Sequence, residues 1–362
     1  MATLVWLGLV ALPLALSLAL DQQANGLPLL GVVAWLVFLR VARWLSPPAR
    51  ADRLLRRGRY AQALALCEAS LAVAGEGAWV GPRKLIWLNR RTSALLGLGR
   101  YDEALLAALS AMKQSPDPET IATCALALLR LNRYEDAIAA GRLASEASHE
   151  RSVRANATLA ACMLERGQPA EAEALALASL ADAEALTPYV RRESHAAGLS
   201  ALVRARLAQW RLDGPDGARS TLARLHRIGR ADPAARAVAL LEEAALLEAS
   251  GNAKADAAHE VERLARLARA LAPGYTLWRL SQPDAPSTTM TGYLADGLRG
   301  QAERAPSSEM VAELLRQARP AMRPRPPALS NTAALLAQIL TVAATLALLA
   351  LWTVKFFLLA NN

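Results

Sequence analysis

Apolar residues divide the chain into two long uninterrupted runs near its ends and a periodic middle. Residues 3–20 carry no charge, and residues 332–359 carry only Lys355. A shorter run, 27–39, continues into Arg40-Val41-Ala42-Arg43-Trp44-Leu45. Between these runs, apolar positions return every three or four residues, the spacing of one face of an α-helix. No segment alternates apolar and polar residues for long enough to predict a strand, so the expectation is all-α.

The end runs have the length of membrane spans. Residues 3–20 reach about 27 Å as a helix and residues 333–354 about 33 Å, against a hydrocarbon core of roughly 30 Å. Residues 27–39 are short alone, but Arg40 and Arg43 can snorkel while Trp35 and Trp44 sit near the interface. The sequence therefore predicts an N-terminal transmembrane hairpin over 1–45 and one C-terminal transmembrane helix over 332–362. A cleaved signal peptide competes for the first run, but there is no basic leader and no small-x-small site before Asp21.

The middle reads as helical pairs. The clearest second helix is LGRYDEALLAALSAMKQSP (98–116): a Gly99-Arg100 break, Tyr101, then Ala104, Ala108 and Ala111 at helical spacing, closed by Pro116. Related phrases are RGRYAQAL (57–64), LNRYEDAI (131–138) and RGQPAEAE (166–173). Their anchoring alanines, Ala63, Ala104, Ala137 and Ala172, are 41, 33 and 35 residues apart. The long first interval contains Gly75-Glu76-Gly77 and Gly81-Pro82, an inserted loop. Repeats are expected over 46–184, degenerate helical repeats over 185–280, and a linker with one short helix over 281–331. Within that linker, PAMRPRPP (320–327) reads as a stiff tether.

This pattern resembles the tetratricopeptide-repeat (TPR) family, whose period is about 34 residues. The resemblance rests on Leu88, Leu95, Gly99, Tyr101, Ala104, Ala108, Ala111 and Pro116 in the second pair. The third pair adds Ala125, Leu128, Tyr134, Ala137, Gly141 and Ala144, and the first adds Leu54, Tyr60, Ala63, Cys67 and Ser70. The fourth keeps Ala160, Ala172, Ala176 and Ser179 without the tyrosine. It implies a solenoid of helical hairpins that binds proteins in a concave groove lined by the first helix of each pair. Tyr60, Ala63, Tyr101, Ala104, Ala108, Ala111, Tyr134, Ala137 and Ala172 are then repeat core. Arg83, Lys84, Trp87, Asn89, Arg90 and Arg91 are candidates to face a partner, with a solvated face or anionic lipid as the competing readings. Some family members grip a peptide carboxylate with Lys, Arg and Asn. Here Pro48, Asp52 and Glu119 stand where that clamp needs basic or amide groups, so it is not expected.

Charge places the repeats on one side of the membrane. The net of +9 suggests nucleic acid until it is mapped. Residues 40–100 hold 12 basic and 3 acidic side chains, whereas residues 101–300 hold 23 and 25. The basicity lies beside the apolar runs. Arg40, Arg43, Arg50, Arg53, Arg56, Arg57 and Arg59 follow the hairpin; Arg316, Arg319, Arg323 and Arg325 precede the last span. The positive-inside rule then puts the middle region in the cytoplasm. An Arg- and Ala-rich composition with only four lysines fits a GC-rich bacterium and its inner membrane.

Candidate chemistry adds little. Cys67, Cys124 and Cys162 lack CxxC spacing and fall on apolar faces, as buried reduced thiols do. His149, His195, His226 and His259 are scattered, and His259-Glu260 lacks the second histidine of a zinc-binding helix. No phosphate-binding glycine loop and no GxSxG elbow is present. Asp102-Glu103, Glu135-Asp136 and Glu242-Glu243 read as acids early in helices or on solvated faces. No enzyme, cofactor, metal, nucleic acid or small-molecule substrate is expected. The expectation is a multi-pass inner-membrane scaffold that recruits protein partners at the cytoplasmic face. The alternatives are an integral subunit or assembly factor of a larger envelope or secretion complex, and an enzyme with its site in 189–291.

Overall fold

A computed structural model describes residues 46–73, 81–147, 153–184, 198–208, 216–230, 232–250, 255–282 and 284–321. Among them are fifteen helices and no strand. The first eight are α1 (Pro47–Arg56), α2 (Tyr60–Val73), α3 (Gly81–Leu98), α4 (Tyr101–Gln114), α5 (Pro118–Arg130), α6 (Tyr134–Ala147), α7 (Val153–Glu165) and α8 (Pro169–Glu184). Each odd helix packs on the even one that follows, and each even helix packs on the next odd one. The odd helices also lie side by side, α1 on α3, α3 on α5 and α5 on α7. This is a helical-hairpin solenoid, consistent with a TPR-like fold.

One turn, used four times, sets the register. Gly58, Gly99, Asn132 and Gly167 end the odd helices with φ of 68°, 77°, 59° and 70°. The next residue's N–H then reaches back to Leu54, Leu95, Leu128 and Met163 carbonyls at 2.9–3.0 Å, closing a Schellman motif. Five residues beyond each turn residue come Ala63, Ala104, Ala137 and Ala172, all fully buried. A methyl is all the space allows where one hairpin meets another, and a larger side chain would force the helices apart. The 41-33-35 spacing is therefore the spacing of a backbone event. Asp117 caps α5, accepting from the Glu119 and Thr120 N–H groups, and Pro118 occupies its first turn.

The chain continues through α9 (198–208), α10 (Asp216–Gly229), α11 (Pro233–Ala249) and α12 (Ala255–Leu271). It then doubles back. Helix α13 (Pro273–Arg279) packs on α3, α11 and α12; α14 (Thr291–Arg304) packs on α13 and α4; α15 (Ser308–Ala321) packs on α4 and α6. Residues 281–331 thus hold more than a linker with one short helix. The extra helix, α14, buries Leu294 and Leu298. Pro320 belongs to the end of α15 rather than to an extended tether.

No helix among the described residues is long and apolar enough to cross a membrane. The expected spans at 1–45 and 332–362, with Arg40, Arg43, Arg323 and Arg325, lie outside the described residues. Of the other flanking arginines, Arg50 is exposed. Arg316 and Arg319 are exposed and pair with Glu313 and Glu146.

Candidate functional site

Among the described residues of α1, α3, α5 and α7, the inner row of odd helices is open at α1 and α3. In α5 and α7 every residue but Glu119 is buried or half-buried, including the polar Thr120, Thr123, Asn156 and Thr158. The groove expected along all four first helices is therefore closed beyond α3. Lateral polar contacts join its members: Asn89 donates to Thr120 at 3.5 Å, and Arg154 reaches Thr123 at 2.8 Å and Glu119 at 3.1 Å.

The six candidate partner residues on α3 separate. Trp87 turns inward with Ala51 and Cys67 and is core. Arg90 grips Asp52 of α1 with both arms of its guanidinium, at 2.7 and 2.6 Å, a bidentate geometry that fixes α1 on α3. Arg91, a helical step of about 100° away, instead faces Glu68 of α2 at 3.7 Å. Asn89 is half-buried, Lys84 is exposed, and the Arg83 side chain is not among those described. The sequence reading missed Ile86, which is 40% exposed and three and four residues before Asn89 and Arg90. That spacing puts it on their face of the helix. The open surface is thus one apolar side chain, Ile86, bordered by Asn89 and the Arg90–Asp52 pair, while Lys84, two residues before Ile86, lies on the other side of the helix.

At the edge carrying the α3–α4, α5–α6 and α7–α8 turns, α13 is fastened by a network of charges, buried except for the half-exposed Asp284. Arg279, with no exposed surface, donates to both carboxylate oxygens of the equally buried Glu242 at 3.2 Å and to the Asp284 carboxylate at 3.0 Å. Arg204, on α9, bonds both oxygens of Asp284, at 3.1 and 3.0 Å, and also Glu165 at the end of α7. Tyr275 and Ser200 each donate to Glu242 at 3.0 Å. Gln282 accepts from Tyr134 and donates to Asn132, both at 3.0 Å, tying the segment after α13 to the third hairpin turn.

Electrostatics matches this geometry. Burial works against the Arg204 charge, but Asp284, Glu165 and Glu242 hold its pKa above the ordinary arginine value. Burial likewise opposes the Arg279 charge, and Glu242 and Asp284 outweigh it. Burial raises the Asp284 carboxyl, yet Arg204 and Arg279 bring it down to about 2. Arg130 differs: burial lowers its pKa, and its Nη1, like the indole Nε1 of Trp278, is buried without a hydrogen-bond partner among the described residues. Its guanidinium lies 4.0 Å from the Trp278 ring centre and 4.9 Å from that of Tyr275. Lying over both of these adjoining rings, it is stabilised by cation–π attraction.

Glu242 corrects the reading of Glu242-Glu243 as a solvated pair. Only Glu243 faces outward, 3.2 Å from His226. Asp102 is also buried, and receives Arg304 of α14 at 2.9 Å. Only Arg204, between Val203 and Ala205, stands as a charge flanked by apolar residues in the sequence; Glu242 and Asp102 each adjoin a second acid and carry no such mark. Among the described residues no three His, Cys, Asp or Glu side chains converge as metal ligands. Burial pushes the Cys67 thiol up to about 11 and those of Cys124 and Cys162 to about 12, so all three stay protonated and unreactive. A 390 Å³ cleft between α8, α9 and α10 is lined by Leu177, Leu180, Leu199 and Leu202 together with polar Thr221, Arg224 and Arg206, the last held by Glu173 and Thr221.

No protein-family model matches this sequence, and no curated protein matches it.

Proposed function

We propose that the chain is a non-catalytic, TPR-like scaffold, anchored by apolar spans at both ends in a bacterial inner membrane, that holds a protein partner at the cytoplasmic face. The observation that carries this reading is the open face of α1 and α3. Ile86 supplies an apolar contact, and Asn89 and the Arg90–Asp52 pair supply a polar rim, which suits a short partner segment with an apolar residue flanked by hydrogen-bonding groups. Tethering raises the local concentration of such a partner, so a contact of this size can serve without high intrinsic affinity.

The test is affinity purification of the full chain from mild detergent, native and with Ile86→Asp. The substitution places a charge where the apolar contact would form and disturbs no packed core. Loss of co-purifying proteins with unchanged thermal stability supports the reading. An unchanged set of partners removes it and favours a complex subunit held through its spans. Reporter fusions at both ends test the topology, and a periplasmic N-terminus would remove the hairpin.

A further inference from the structure

We infer that the solenoid stands edge-on to the membrane, with the edge that carries the even-to-odd connections against anionic lipid headgroups. The inference rests on the anchored reading above and adds an orientation that hydropathy alone does not contain.

The two places where the described chain leaves toward its apolar runs lie at one edge. Odd helices run toward the hairpin turns at Gly58, Gly99, Asn132 and Gly167, and even helices run back. Helix α1 begins at Pro47, so Ser46 lies at the edge away from those turns. Helix α15 lies along α6 in the same direction. Ser308, at its start, donates to Asp136 at the start of α6 at 2.8 Å, and Arg319, near its end, reaches Glu146 near the end of α6 at 3.2 Å. Ala321 therefore emerges at the same edge as Ser46. Two spans entering one bilayer from these points bring that whole edge to its surface.

The side chains there suit headgroups. Arg50, Lys84 and Lys113 are exposed, and Val73, ending α2, is 87% exposed. Among the described residues, three acids at this edge are already engaged: Glu119 with Arg154, Glu146 with Arg319, and Asp117 in capping α5. Exposed basic groups on an edge whose described carboxylates are engaged favour an anionic surface by about 1 kcal/mol per basic residue. The opposite edge also has exposed basic residues, Arg56, Arg57 and Arg59, so charge alone does not choose between the two. The chain exits do. The Ile86 face then opens one to two helical turns above the headgroups, which restricts partners to segments that come close to the membrane.

Proximity in sequence and orientation in space make opposite predictions, which gives the test. Arg59 is 13 residues from Ser46 and Gln114 is 68, yet α4 spans about 21 Å and puts Gln114 at the proposed lipid edge with Arg59 at the far one. The photo-crosslinking residue p-benzoylphenylalanine is introduced at Gln114, Arg59 or Gln168 in the full chain. Each protein is reconstituted in vesicles of phosphatidylethanolamine and phosphatidylglycerol. At least fivefold more lipid adduct at Gln114 than at Arg59 and Gln168 is expected. Replacing phosphatidylglycerol with phosphatidylcholine should lower the Gln114 adduct at least twofold, and no change overturns the headgroup-charge part. Equal or reversed labelling in a protein that resists alkaline carbonate extraction overturns the orientation and leaves the anchored reading standing. Extraction of the full chain by carbonate removes both.

Discussion

Replacing Arg279 with methionine removes the centre of the clasp while keeping much of its volume. Arg279 supplies two hydrogen bonds to Glu242, one to the Asp284 carboxylate and one to the Asp284 carbonyl, the last at 3.3 Å. Its loss strands Glu242, whose side chain is fully buried, with only Tyr275 and Ser200 as donors. Removing one partner of a buried pair costs about 3–5 kcal/mol, most of it for the charge left behind. At about 2–4 °C per kcal/mol for a domain of this size, the melting temperature should fall by on the order of 10 °C. The loss should also be local: hydrogen exchange should accelerate in 273–321 before it does in α5 to α7, since nearest-neighbour stacking is untouched. Replacing Arg279 and Glu242 together with methionine should cost less than Arg279→Met alone, because no charge is stranded. The assay is exchange mass spectrometry with scanning calorimetry of the full chain in detergent. A loss under 1 kcal/mol for Arg279→Met, or a double variant worse than the single, would refute the account of a stranded charge.

Three further outcomes are expected. Gly274→Ala should displace α13, since the added Cβ would sit 2.0 Å from the Leu96 carbonyl oxygen and 2.8 Å from the Gly99 nitrogen; a cost of about 2–3 kcal/mol by denaturant melt is expected, and a neutral result would contradict the contact. Asn132→Gly should cost about 1 kcal/mol, the hydrogen bond to Gln282, whereas Asn132→Ala should cost about 1–2 kcal/mol more by adding a left-handed alanine; equal values would show that the backbone conformation is relaxed. Asp284 has a lower pKa folded, about 2, than its ordinary value of 3.8, so its contribution is complete above pH 4 and is lost as pH falls toward 2; because its side chain is half exposed, about 1 kcal/mol is expected, measured as the difference between native and Asp284→Asn melting across that window.

The repeats were legible because a local event produces them. A residue in the left-handed conformation, then a long polar side chain, then a buried alanine five residues on, are all fixed within one hairpin and so leave a periodic trace. What closes the solenoid is not local. Tyr101 donates its hydroxyl to the Gly274 carbonyl, and the Gln301 side chain bridges the Tyr101 N–H at 2.6 Å and the Gly99 carbonyl at 2.7 Å, across about 200 residues. No spacing in the sequence marks such a pairing. The trace that existed was compositional: Tyr275 and Trp278 fall within seven residues of a chain with 5% aromatics, beside an arginine. For the candidate surface, helical periodicity put Asn89 and Arg90 on α3 correctly, but could not say that Arg90 is held by Asp52 or that Trp87 turns inward. It also could not show that α5 and α7 are enclosed, because that depends on how successive hairpins curl.

The clasp also imposes a timetable on synthesis. At roughly 5–20 residues per second, about 10–40 s separate the emergence of Tyr101 from that of its partner Gln301. During that interval the hairpin turns, with Leu96, Tyr101 and Tyr134 beside them, face solvent or whatever else meets the nascent chain. Should the N-terminal hairpin already be inserted, the waiting repeats are confined to the bilayer surface, where neighbouring nascent copies would offer the same unsealed edge. A variant ending before Pro273 would stay in that state permanently, and its first symptom should be self-association rather than loss of helix.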